Sequence, residues 1–152
     1  YCKLLLKNLT MKKIIFGLLF LLLFSNCSKN NTDINCNYLL NVGVNANLNL
    51  NLPQYSQLAF ISNAVYVSGY GNKGIIVINT GTGFAAWDAS DPNHSPNSCS
   101  TLEIVGAEAV CGCEDENTYS LFTGQPLSDP DLTCGLKAYR VEQSGNSLLI
   151  SN

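Results

Sequence analysis

The sequence has little charge and few of the side chains that most catalytic and metal sites use. Charged residues make up 12% of the chain, and it contains one His, one Met and one Trp. A single His excludes any site that needs two imidazole groups from one chain. Beyond residue 27 only four basic residues stand against eleven acidic ones, a net charge of −7. Acidic, lysine-poor chains bind nucleic acid and anionic lipid surfaces weakly, so no nucleic-acid partner is expected.

Long apolar runs are also missing, apart from one near the N-terminus. Met11, Lys12 and Lys13 precede an apolar run over residues 14–24. A charged segment followed by a short apolar run is typical of a bacterial secretion signal and is too short for a convincing membrane-spanning helix. We interpret residues 1–10 as lying upstream of a start at Met11, and residues 11–26 as a helical signal peptide.

The apolar run ends at a cysteine. Ser25 and Asn26 lead into Cys27, which resembles a lipoprotein signal-peptidase site in which Cys27 becomes the lipidated first residue. The polar residues 28–35 would then form a tether. An ordinary cleaved signal that leaves Cys27 free, or an uncleaved N-terminal anchor, are the alternatives. The predicted location is the bacterial cell envelope, anchored to a membrane by lipid and facing the periplasm or the cell surface.

No amphipathic helix is visible after the signal, and the remaining pattern is that of strands. Apolar residues alternate with Asn over residues 44–52, which predicts a half-buried strand ending at Pro53. A continuous β-branched run over residues 75–78 predicts a strand covered on both faces. Further short strands at close spacing predict an antiparallel all-β sandwich or small barrel. We divide the chain into residues 1–26, residues 27–43 with the lipid attachment and tether, and a β domain over residues 44–152.

Several aromatic and apolar side chains are expected to fill the core of this domain. The segment after Pro53 is predicted to tuck three side chains under the sheet: Tyr55, Leu58 and Phe60. Three strand residues are interpreted as core rather than as a ligand platform: Tyr66, Trp87 and Tyr139.

Cysteines cluster in two loops. Three of the seven cysteines and the only His lie between Trp87 and Gly124. Loops 91–100 and 111–118 flank a short apolar segment. Clustered cysteines between strands indicate a metal site or a disulfide, and an exported protein is oxidised by default.

The order of these features resembles the Rieske iron–sulfur domain superfamily. The strand entering the first loop corresponds to residues 84–88, the second loop to 111–114, the next strand and its Thr-Gly-Gln-Pro turn to 119–127, and the closing hairpin to 136–150. The resemblance is greatest to the ligand-degenerate lipoprotein branch of Bacteroidetes-type bacteria. It implies a Rieske-like antiparallel β-sandwich whose two loops hold a 2Fe–2S cluster in members with full ligand sets.

The family's ligand positions fall on Asp91, Asn93, Cys111 and Glu114, and Cys111 alone has the expected chemistry. A Rieske cluster needs two thiolates and two imidazoles. The Lys-Lys start of the signal also predicts export of an unfolded chain, which would not carry a preassembled cluster. No cofactor is therefore favoured. The alternative is a 2Fe–2S electron-transfer protein with non-standard ligands.

The resemblance implies a disulfide between Cys99 and Cys113 that clamps the two loops, worth about 2–4 kcal/mol. A second pair is favoured between Cys36 and Cys134, because it would tie the first strand to the loop 125–134. Pairs of Cys111 with Cys134 or Cys99 remain open, since sequence does not fix connectivity.

Other sites are weaker hypotheses. An all-cysteine cluster or a zinc site could use Cys99, Cys111, Cys113 and Cys134, but Cys-x-Cys is narrower than the usual zinc pair. The acidic residues 114–116 with Asp91 could bind Ca²⁺, although a solvated acidic loop is preferred.

Catalysis is not the favoured interpretation. His94 near Asp91 suggests acid–base chemistry, but no nucleophile motif accompanies the pair, and a surface-loop His is expected. We predict a binding or structural role in the envelope, with the two loops as the contact surface for another envelope protein or a ligand.

Overall fold

The computed structural model describes residues 36–152; the predicted signal helix, Cys27 and the tether lie outside this range. The described chain forms nine strands: β1 (Asn45–Asn49), β2 (Ala64–Val67), β3 (Ile75–Asn79), β4 (Phe84–Asp88), β5 (Leu102–Val105), β6 (Glu108–Cys111), β7 (Thr118–Ser120), β8 (Ala138–Ser144) and β9 (Ser147–Ser151). One 3-10 helix, Pro53–Ala59, connects β1 with β2. Within residues 36–152, no helix is both long enough and apolar enough to cross a membrane.

The strands form two antiparallel sheets. The larger has six strands in the order β1-β9-β8-β4-β3-β2, and the smaller has three in the order β5-β6-β7. The smaller sheet is inserted in the chain between β4 and β8. The predicted all-β, antiparallel architecture with two disulfide-clamped loops is confirmed.

One face of the six-stranded sheet covers the first core. β1 buries Ala46 and Leu48 and exposes its three Asn residues, as its period-two pattern predicts. Every strand of this sheet contributes to the same apolar cluster, and Leu58 from the 3-10 helix joins it. The six strands and the 3-10 helix therefore share one apolar core.

β3 is the strand that both cores share. Ile75 and Val77 lie in the first core, while Ile76 and Ile78 lie in the second with side chains from the three-stranded sheet. All four side chains are fully buried, so the predicted coverage on both faces is confirmed. The three-stranded sheet is consequently fixed to the back of the larger sheet.

A disulfide joins Cys36 to Cys134, with an S–S distance of 2.03 Å. This is the second pair favoured from the sequence. The segment that follows Cys36 is also held by Lys137, whose Nζ donates to the carbonyl of Leu40 at 2.6 Å. The start of the described chain is thereby attached to the segment that leads into β8.

Two predicted core side chains are at the surface instead. Phe60 is 65% exposed and Tyr66 is 47% exposed. Phe60 follows the end of the 3-10 helix, where the chain turns away from Leu58. Tyr66 lies between Val65 and Val67, which point into the first core, so strand alternation places it on the other face.

Candidate functional site

The two loops meet at one end of the three-stranded sheet. The first loop follows β4, passes a bridge between Ser90 and Thr101, and leads into β5. The second loop connects β6 to β7. A Cβ atom on Gly112 would lie 2.9 Å from the carbonyl oxygen of Cys99. Glycine is therefore required for the two backbones to approach this closely.

A disulfide between Cys99 and Cys113 joins the loops, with Cα atoms 4.9 Å apart. Asn97 shapes the first loop beside it, because its Oδ1 accepts from the amides of Cys99 and Ser100, both at 2.9 Å. The Ser100 hydroxyl oxygen accepts in turn from the Asn97 amide at 3.0 Å. The junction is thus held by one covalent bond and a tight local turn.

Asp91, the residue to which the resemblance assigns the first thiolate position, is fully buried. Its Oδ1 accepts hydrogen bonds from the Tyr119 hydroxyl at 2.5 Å and from the backbone N–H of Asn93 at 2.8 Å. Its Oδ2 accepts from Nδ2 of Asn117 at 3.0 Å. A buried carboxylate is tolerated when several donors replace its water shell, and Asp91 has three.

Asn93, the residue to which the resemblance assigns the first imidazole position, also forms hydrogen bonds within the protein. Its Nδ2 donates to the Tyr119 hydroxyl oxygen and to the carbonyl of Cys134, both at 2.8 Å. Its Oδ1 accepts from the Cys134 amide at 3.2 Å. Asn93 therefore connects the Asp91–Tyr119 pair to the segment that carries the Cys36–Cys134 disulfide.

A second buried acid fixes the end of β4 in the same manner. Asp88 is fully buried, and its Oδ2 accepts from the Tyr139 hydroxyl at 2.6 Å and from the Asn72 amide at 2.8 Å. Its Oδ1 accepts from the amide of Ser90 at 3.0 Å. These hydrogen bonds thereby fix the end of β4, the strand that leads into the first loop. Burial and the neighbouring Asp88 carboxylate raise the pKa of Tyr139 well above its usual range, so its hydroxyl stays a donor.

Cys111, which the resemblance places at a thiolate position, has a free and buried thiol. Its Sγ lies 3.7 Å from Nδ1 of His94. Burial, with a smaller contribution from Asp91, raises the pKa of the Cys111 thiol to about 12, although the backbone amide of Cys113 opposes this. The thiol is consequently protonated and unreactive near neutral pH.

His94 bridges the buried and the exposed parts of the site. Its Nδ1 is 3.8 Å from Oδ2 of Asp91, and its Nε2 is 2.9 Å from Oδ2 of Asp115. The side chain is 29% exposed. The sequence prediction of a loop His at the surface is therefore only partly right, because the ring lies against Cys111.

These donors do not fit a Rieske cluster. Glu114, at the second imidazole position, is exposed. Asp91 and Asn93 are saturated by protein hydrogen bonds, and the chain has a single His. Two thiolates and two imidazoles are not available from these residues. The four-cysteine zinc set is not assembled either, because Cys99, Cys113 and Cys134 are all in disulfides.

A different group of ligand atoms does come together. Four potential metal-ligand atoms lie within 4.8 Å of one another, one from each of His94, Cys111, Cys113 and Asp115. A shallow depression of about 430 Å³ opens beside them. Sequence reasoning did not find this group, since Asp115 was assigned to a solvated acidic run and His94 to the surface.

The hydrogen-bond network around Asp91 was also missed. Its partners Tyr119 and Asn117 are 28 and 26 residues away in sequence. No periodicity marks such a contact. The position of Asp91 in a turn-rich loop directly after a predicted strand was the available signal.

Comparison with known proteins gives structural similarities alone. No protein-family model matches the chain, and no curated protein matches its sequence. One chain of the complex of reduced oxygenase and oxidized ferredoxin in carbazole 1,9a-dioxygenase is 18% identical, with 72% of this chain and 93% of that chain covered and a TM-score of 0.47. The ferredoxin of carbazole 1,9a-dioxygenase from Nocardioides aromaticivorans IC177 is 16% identical over 72% and 96% of the two chains, with a TM-score of 0.43.

A third similar structure is described as the small subunit of an NADPH nitrite reductase. It is 20% identical over 69% of this chain and 97% of that chain, with a TM-score of 0.39. Structural similarity of this degree does not identify a cofactor, ligand or partner.

Proposed function

We propose that this protein is a lipid-anchored cell-envelope protein whose Rieske-like domain holds no 2Fe–2S cluster and serves in binding or as a structural module. The observation that carries the proposal is the use of Asp91 and Asn93 inside the protein. Both occupy family ligand positions, and both are engaged by Tyr119 or by neighbouring backbone. A cluster would have to displace this network and leave buried donors without partners, which costs about 1–3 kcal/mol for each.

The disulfides take over the mechanical role that a cluster would have. A cluster ligated from both loops joins their tips; here the Cys99–Cys113 bond joins them. The Asn93 side chain extends the connection to Cys134 and its disulfide. Loops that are joined at their tips and carry no iron–sulfur cluster are suited to presenting a fixed surface to a partner.

The exposed part of these loops is acidic. Glu114, Asp115 and Glu116 are all exposed, and beyond residue 27 the chain has a net charge of −7. Complementary charge favours association with basic groups. The partner is therefore an envelope protein or ligand that presents basic groups to the loop tips.

Membrane attachment through Cys27 rests on the sequence motif. Fractionation of native cells should recover the protein with the membranes, and its mature chain should begin at Cys27. Mass spectrometry of the native N-terminal peptide should find a diacylglyceryl-type modification. A native N-terminal peptide in which Cys27 carries no lipid would overturn the lipid anchor.

The metal content of protein purified from its native envelope tests the central point. We expect neither stoichiometric iron nor acid-labile sulfide, and no visible absorption. Stoichiometric iron together with sulfide would overturn the proposal in favour of the 2Fe–2S electron-transfer alternative. Cys111→Ser is the matched control, since it removes the remaining family thiolate and should bleach any true cluster.

A further inference from the structure

We propose that reduction of the Cys99–Cys113 disulfide converts the loop junction into a binding site for a zinc-like divalent cation. The ligands are His94, Cys111, Cys113 and Asp115. Imidazole nitrogen, thiolate sulfur and carboxylate oxygen are the ligand types that zinc takes, in sets of four.

The separations in the oxidised protein are close to those of a tetrahedral site. The four ligand atoms lie within 4.8 Å of one another, whereas two thiolates on one zinc ion are about 3.8 Å apart. Nε2 of His94 and Oδ2 of Asp115 are 2.9 Å apart, compared with about 3.3 Å for nitrogen and oxygen ligands of one ion. Movements of about 1 Å at the loop tips would complete the site.

The disulfide prevents metal binding at this site in the oxidised protein. Cys113 Sγ is bonded to Cys99 Sγ, and a disulfide sulfur is not a thiolate ligand. A dithiol reductant supplies two electrons and two protons: the Cys99–Cys113 bond breaks, two thiols form, and the reductant becomes a disulfide. Binding of M²⁺ then releases the thiol protons of Cys111 and Cys113 to solvent.

The surroundings suit an entering cation. Side chains of His94 and Asp115 are 29% and 40% exposed, whereas Cys111 and Cys113 are buried. An ion can therefore reach the exposed pair first and the sulfurs second. Glu114 and Asp91 add negative charge nearby, and Lys or Arg residues are absent from the two loops.

Two single variants give a sharp test without any reductant. Cys99→Ser and Cys113→Ser both abolish the clamp, but only Cys99→Ser keeps the Cys113 ligand. The full chain of each would be titrated with Co²⁺, whose thiolate charge-transfer absorption reports sulfur ligation. We expect Cys99→Ser to bind Co²⁺ with this absorption and Cys113→Ser to bind at least about tenfold more weakly. Equal affinity in the two, or no binding by a folded Cys99→Ser variant, would overturn the proposal.

Further variants separate the ligands from their neighbours. In the Cys99→Ser background, Asp115→Asn and Cys111→Ser should each weaken Co²⁺ binding at least about tenfold. Glu108→Gln, which removes an exposed carboxylate outside the two loops, should leave it unchanged. If both clamp variants fail to fold, Co²⁺ binding by wild-type protein reduced with a phosphine would be compared with binding by the oxidised protein. No gain in Co²⁺ binding after reduction would overturn the proposed site. This readout is independent of lipid attachment and of the iron content of native protein.

Discussion

The hydroxyl of Tyr119 donates a hydrogen bond of 2.5 Å to Oδ1 of Asp91, and both side chains are fully buried. Asp91 comes from the first loop and Tyr119 from the strand after the second. The pair is therefore a second connection between the two loops, in addition to the Cys99–Cys113 disulfide. Burial, with Asp91 as the next cause, raises the pKa of Tyr119 well above its usual range, so the phenol remains protonated and continues to donate.

Removal of this donor should destabilise the domain. Tyr119→Phe leaves a buried carboxylate short of one hydrogen bond, and bonds to charged groups are worth about 1.5–3 kcal/mol. Denaturant unfolding of the variant should show a loss of this size. Tyr66→Phe is the matched control, because its hydroxyl bonds to the Lys73 carbonyl at an exposed site and should change stability by less than about 0.5 kcal/mol. Equal losses in the two variants would contradict the role given to the buried pair.

Gly124 is constrained by close contact as well as by backbone conformation. Its φ is +72°, and a Cβ atom would lie 2.6 Å from the Trp87 ring. Gly106 has a similar φ of +63° but open space around it. We expect Gly106→Ala to cost about 1–2 kcal/mol for the left-handed conformation, and Gly124→Ala to cost clearly more. Fluorescence of the single Trp should change in Gly124→Ala alone, and an unchanged spectrum would mean that the ring is not displaced.

The two disulfides should differ in their effect on stability. They close loops with sequence separations of 14 and 98 residues. Chain entropy predicts about 3 kcal/mol for the short loop and about 4.7 kcal/mol for the long one. Unfolding of the double variants Cys99→Ser/Cys113→Ser and Cys36→Ser/Cys134→Ser would measure both. A larger loss from the Cys99–Cys113 pair would show that local strain or packing outweighs chain entropy.

Cys111 should be slow to react in the folded protein. Its pKa of about 12, raised mainly by burial, makes the thiolate on the order of 10³ times rarer at pH 8 than for an ordinary cysteine. Alkylation at pH 8, located by peptide mass mapping, should modify Cys111 only after denaturation. The rate in the folded state should rise with pH, because deprotonation supplies the nucleophile. Rapid labelling of Cys111 at pH 8 in folded protein would contradict its burial.

Much of the fold could be predicted because its strands carry simple patterns. Ala46 and Leu48 alternate with Asn, and residues 75–78 are continuously β-branched; burial follows both patterns. Tyr66 could have been placed correctly by the same alternation. Its predicted core position was wrong, because the Val residues on either side of it point inward and a strand places successive side chains on opposite faces.

The site was less accessible to sequence reasoning. The Cys99–Cys113 link was reached through a resemblance to a family, and the structure contains that link. The bonds of Asp91 depend on Tyr119 and Asn117, which only the folded sheet brings near. The proximity of His94 to Cys111 likewise depends on how the loops cross at Gly112. Contacts of this kind leave no periodic signal along the chain.

β3 has a consequence for the cooperativity of the molecule. Ile75 and Val77 belong to one apolar cluster, and Ile76 and Ile78 belong to the other. A single stretch of backbone thus runs between the two halves of the interior, and neither half can melt while the other keeps its packing. Local damage at the loop tips would then be transmitted as a loss of global stability rather than as a separate early transition.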